Sequence, residues 1–68
     1  MRNRICLKIP KKEITYLTKI MEGYDNLGVV STIDPKEGLV MIHITPDTRD
    51  TVREILHHLP FVTDINED

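Results

Sequence analysis

The chain has 68 residues, 40% hydrophobic and 29% charged, with nine Lys plus Arg against eleven Asp plus Glu and a formal net charge of -2. A chain of that length is read as a single domain, residues 1–68, that buries only roughly 60% of the surface exposed when unfolded. The charge offers no general attraction to nucleic acid or anionic lipid, the lone Cys6 excludes disulfide frameworks and CxxC motifs, and no apolar run reaches signal-peptide or membrane-spanning length, so a soluble cytoplasmic protein is expected.

Ile5, Leu7 and Ile9 alternate with Arg4, Cys6 and Lys8, the period of two of a half-buried strand ending at Pro10. From Lys11 the period becomes helical: Ile14, Leu17, Met21 and Tyr24 form one apolar stripe over about three turns. Gly23 suits a left-handed terminator and Asp25-Asn26 a turn after it.

Leu27 to Ile33 and Leu39 to Ile44 read as two strands joined by Asp34-Pro35-Lys36-Glu37-Gly38. Pro35 presets φ for a type I turn, and Gly38 takes the positive φ that closes a four-residue loop. Asp34 then faces Leu39, and counting outward pairs Ile33 with Val40, Ser31 with Ile42 and Val29 with Ile44 on the more apolar face. The opposite face receives Thr32 with Met41 and Val30 with His43.

Thr45-Pro46-Asp47 reads as a helix start, with Thr45 capping, Pro46 at the first helical position and Asp47 at the positive end of the dipole. Val52, Ile55, Leu56 and Leu59 make its buried stripe, Pro60 stops it, and Phe61 to Ile65 reads as a fourth strand. Basic residues concentrate in the first twelve positions, whereas Asp64, Glu67 and Asp68 make the end acidic, a complementary pair if the termini lie on adjacent strands.

This order implies an α+β domain: a ferredoxin-like βαββαβ arrangement, a four-stranded antiparallel sheet with two helices on one face. The helix-free face is expected to present Cys6, Val30, Thr32, Met41 and His43, bordered by Arg4 and Lys8, as a dimer interface. With only Tyr16, Tyr24 and Phe61 as aromatics the core must be aliphatic, and a homodimer would help stabilise it.

The stretches Glu22-Gly23-Tyr24-Asp25-Asn26-Leu27-Gly28, Ser31-Thr32-Ile33-Asp34 to Gly38, and Thr45-Pro46-Asp47-Thr48 together span nearly the full length. In them the chain resembles a small bacterial family of standalone domains of unknown function, related in architecture to ACT domains, regulatory modules that often bind amino acids. The resemblance implies an ACT-like ferredoxin sheet and dimerisation. ACT domains that bind amino acids usually carry a glycine in the loop between the first strand and first helix. This chain has Lys8-Ile9-Pro10-Lys11-Lys12-Glu13 there, so the fold carries over and the ligand does not.

Lys11 and Lys12 sit at the expected start of the first helix, where backbone N–H groups favour anions. His57 and His58 point about 100° apart on a helix, unlike a metal-binding i, i+4 pair, and read as solvated, with Glu54 supporting His58. His43 on the open face could make association pH-dependent. Cys6 reads as an apolar filler, because a flat sheet face supplies neither an orienting group nor an oxyanion hole for a Cys6–His43 pair. Acylphosphatase chemistry needs an arginine in the first loop, and RNA recognition needs aromatics on the central strands; both are absent.

The leading expectation is a non-enzymatic regulatory or interaction module that self-associates through its sheet, without cofactor or metal. The alternative is a sensor of a small anion or amino acid at a subunit interface, bound between Pro10, Lys11 and Lys12 of one copy and Asp25 and Asn26 of another.

Overall fold

A computed structural model of the chain describes residues 3–24 and 26–67. Its elements are β1 (Arg4–Lys8), α1 (Ile14–Thr18), β2 (Val29–Asp34), β3 (Leu39–His43), α2 (Arg49–His58) and β4 (Asp64–Glu67). Alternation does in the strands what the sequence predicts: Ile5 and Leu7 of β1 are buried, as are Val40 and Ile42 of β3, and Ile9 and Ile44 continue each row past the strand ends.

The helical stripes meet this row. Leu17 and Met21 on one side, and Val52 and Leu56 on the other, join it in one buried cluster that contains no aromatic ring. Both helices therefore cover the same sheet face. Phe61, partly buried, packs against that cluster, and its ring meets the exposed Tyr16 edge-to-face with centroids 6.0 Å apart.

The first helical segment is irregular. A 3-10 turn, Lys11–Glu13, leads into α1, and a π-helical segment, Lys19–Tyr24, continues it. Thr18 lies at the change of winding and donates its hydroxyl to the Ile14 carbonyl at 2.9 Å, a back-bond that competes with regular α geometry. Gly23, the expected left-handed terminator, instead stays inside the π segment, and Asn26 takes the left-handed conformation at φ 50. The amides of Leu27 and Gly28 then close the helix end on the Met21 carbonyl at 2.8 and 3.2 Å. The side chain of Tyr24, and all of Asp25, lie outside the described residues.

The sheet order is β2-β3-β1-β4, with every neighbouring pair antiparallel, an α+β architecture compatible with a ferredoxin-like fold. The hairpin turn forms as its residues dictate: Asp34 accepts the amides of Lys36 and Glu37, Gly38 takes φ 69, and Asp34 pairs with Leu39.

Beyond that pair the expected register fails. Thr32 is opposite Val40, Ser31 opposite Met41, Val30 opposite Ile42 and Val29 opposite His43, because a bulge between Thr32 and Asp34 leaves Ile33 unpaired. The far end of β2 is anchored separately. The Glu22 carboxylate accepts the Val30 amide at 2.8 Å, and Gly28 lies so close to β3 that a Cβ there would come within 2.8 Å of the His43 carbonyl oxygen. Between the two anchors the strand has one residue too many, and a bulge absorbs it.

Two further boundaries differ from expectation. α2 begins at Arg49, after a turn in which the Thr45 carbonyl accepts the amides of Thr48 and Arg49. The hydroxyl that closes this turn belongs to Thr48, which accepts the Thr45 amide at 3.2 Å. β4 begins at Asp64 instead of Phe61, because Thr63 still donates both its amide and its hydroxyl to the Lys8 carbonyl. No helix among the described residues is long and apolar enough to cross a membrane.

Candidate functional site

Two regions carry the expected site residues. The first is the helix-free sheet face. Across its centre run Ser31, Met41, Cys6 and Asn66, and at one end Val29, His43 and Arg4, each set formed by directly paired positions. Cys6 and Met41 are half-buried there and His43 is exposed. Val30 and Thr32, expected on this face, pair with the buried Ile42 and Val40 and so face the helix side. The bulge substitutes Val29 and Ser31 for them.

Residues missed from the sequence complete the face. Val29 is 59% exposed, and Leu39, paired with Lys8, points to the same side as Met41. The result is an apolar band over β2, β3 and β1, bordered by Arg4, Lys8, Asp34 and Asp64.

The second region lies where β1, the hairpin turn and the approach to β4 meet. A hollow of about 280 Å³ opens there, lined by Pro10 and Lys11 together with Lys8, Lys36, Glu37 and Thr63. Lys12 is exposed but does not line it. Asn26 lies at the opposite end of the sheet, beside the Val29–His43–Arg4 row, so the structure does not bring it to Pro10 and Lys11 within one chain. The hairpin's share of the hollow was not legible in the sequence, because the contact joins residues far apart along the chain.

At the end of α2, His57 and His58 are exposed, and the Nδ1–H of His58 donates to the Glu54 carbonyl oxygen at 2.8 Å. The support expected from the Glu54 side chain comes from its backbone. Among the described residues, no three of His, Cys, Asp and Glu converge as metal ligands would.

The acidic end finds an unexpected partner. Glu67 is opposite Ile5 and therefore on the helix side, where Arg49 donates to it at 2.8 Å and Arg53 at 2.8 and 2.9 Å. The Arg53 hydrogen bonds, followed by those of Arg49, hold the Glu67 carboxyl down at about 2 against the desolvation that would raise it, and Glu67 raises Arg53 in turn. A depressed carboxyl stabilises the fold above the unfolded-state value near 4.5 and loses that contribution as pH falls toward 2. Partial exposure limits it to about 1 kcal/mol. Urea titrations between neutral pH and pH ~3 should show Glu67→Gln less stable at neutrality and flatter across that range; parallel curves for both proteins would remove the clamp's role.

No curated protein and no solved structure matches the chain. A family model described as Domain of unknown function (DUF4911) matches residues 7–62, a span that holds both helices, the whole β2–β3 hairpin and the Pro10–Lys11 side of the hollow. That match covers most of the sequence, and the chain belongs to the family Domain of unknown function (DUF4911).

Proposed function

We propose that the chain is a non-enzymatic, cytoplasmic interaction module of ACT-like, ferredoxin-like type that self-associates through its helix-free sheet face in a regulatory role. The observation that carries this reading is the apolar band. Val29 is exposed beside half-buried Leu39, Met41 and Cys6, on a face that neither helix covers. A domain this small, with a wholly aliphatic core, gains stability from burying such a band against a second copy. The border carries both charge signs, Arg4 and Lys8 on β1 against Asp34 and Asp64 on the outer strands, which suits self-complementary stacking.

The non-enzymatic part rests on the register. Cys6 is opposite Met41 and Asn66, whereas His43 is opposite Arg4 and Val29, so Cys6 and His43 are not a directly facing pair.

Light scattering tests the interface. The wild-type chain is expected to have the mass of a dimer, and Met41→Lys, which places a charge in the middle of the band, that of a monomer at the same concentration. The desolvation cost of the lysine corresponds to roughly a hundredfold weaker association. Glu54→Lys, on the exposed side of α2, should leave the dimer intact. A monomeric wild type, or a dimer that survives Met41→Lys, would overturn the reading.

A further inference from the structure

The hollow between β1, the hairpin turn and Thr63 gathers charge from three separate places. Lys8 ends β1, Lys11 follows Pro10, and Lys36 sits in the turn. Glu37 is the acidic group in the lining, and it lies 3.5 Å from the Lys8 ammonium. Three lysines against one glutamate in the lining leave Lys11 and Lys36 beyond the Lys8–Glu37 pair, with Asp34 and Asp64 next to the lining but outside it.

Its walls are held in place by backbone contacts, independently of any ligand. The Ile9 amide donates to the Gly38 carbonyl at 2.9 Å, which ties the turn to the exit of β1. Thr63 donates twice to the Lys8 carbonyl, which ties in the approach to β4. Asp34 holds the Lys36 and Glu37 amides, and the Pro10 ring restricts the remaining wall. Charge in a hollow whose backbone is already ordered binds an ion without the entropic cost of building the site.

We propose that this hollow binds a small dianion, a phosphate or a dicarboxylate, within a single copy of the chain. Lys11 and Lys36 beyond the Lys8–Glu37 pair suit a doubly charged anion, and a volume of about 280 Å³ fits a small metabolite. All its lining residues come from one chain, and Lys8 is the one it shares with the border of the sheet-face band.

Amide NMR titration of the full chain at mildly alkaline pH tests this, with inorganic phosphate and succinate as separate arms and sodium chloride at matched ionic strength as the reference. Saturable shifts are expected at Lys11, Lys36, Glu37 and Thr63, and the arm that saturates at lower concentration identifies the dianion's chemistry. Lys11→Ala and Lys36→Ala should each weaken binding about threefold to fivefold, the upper end of one lost surface charge contact. Lys12→Ala, beside the hollow but outside its lining, should change it less than twofold. Shifts that do not saturate, that chloride reproduces, or that Lys12→Ala weakens as much as Lys36→Ala would show only a diffuse positive field and overturn the site. Because the readout is local, it stands whether or not Met41→Lys alters the oligomeric state.

Discussion

Gly38→Ala is expected to cost the domain about 3 kcal/mol, most of what a single small core supplies. Two effects add at this position. Gly38 has φ 69, a left-handed conformation that costs a residue with a Cβ about 1–2 kcal/mol. The added Cβ would also run into the carbonyl oxygen of Ile9, part of the backbone that holds the turn against β1. Urea denaturation followed by circular dichroism should show the midpoint falling by roughly 3 M, taking a slope of about 1 kcal/mol/M for a chain of this size. Gly38→Asn separates the causes. Asparagine tolerates the left-handed region but still carries a Cβ, so it should recover only the smaller part of the loss. Full recovery would mean that backbone conformation alone matters, and an unchanged midpoint in Gly38→Ala would mean that the turn does not press on β1 as described.

Leu56→Ala is expected to be comparably damaging, about 3 kcal/mol, by a different route. Leu56 is 1% exposed, at the centre of the contact between α2 and the sheet, and its neighbours are aliphatic side chains already packed against one another. Truncation loses the transfer free energy of the side chain and leaves a cavity that so small a core cannot easily close. The melting temperature should fall by roughly 15 °C at constant protein concentration. Leu59, one turn later and only partly buried, serves as the comparison, since Leu59→Ala should lose less than half as much. Equal losses would show that α2 is not seated on the sheet through the Val52–Leu56 side.

Periodicity revealed most of the fold. The stripes of Leu17 and Met21 and of Val52 and Leu56, and the alternation of Ile5, Leu7 and Ile9, put those side chains in the core because burial acts on the same spacing that is read from the sequence. Turn chemistry also worked at Asp34 and Gly38, where each residue's requirement is local. The error in β2 arose because its register has two owners. The turn sets Asp34 against Leu39, while Glu22 and Gly28 set the other end, and the misfit between them appears only when both contacts form. Ile33 illustrates the reversal: its apolarity argued for placing its row in the core, yet it is the residue the bulge leaves unpaired and 48% exposed. The hollow divides in the same way, with Pro10 and Lys11 visible as a loop before a helix and Lys36 and Thr63 reachable only through the fold.

The position of β1 in the sheet has a further consequence, for the route by which the domain folds. β2 and β3 are joined by a short turn and can find each other by local motion. β1 pairs on one side with β3, across a helix and a strand, and on the other with β4, near the far end of the sequence. Each of those pairings closes a long loop before any contact compensates for the lost chain entropy, which gives this domain more non-local pairing than a helical bundle of the same size. No local step can give the middle of this sheet its hydrogen bonds. The hairpin can be made early, but until β1 returns to it the hairpin's apolar side, carrying Val40 and Ile42, stays open to water and to other chains.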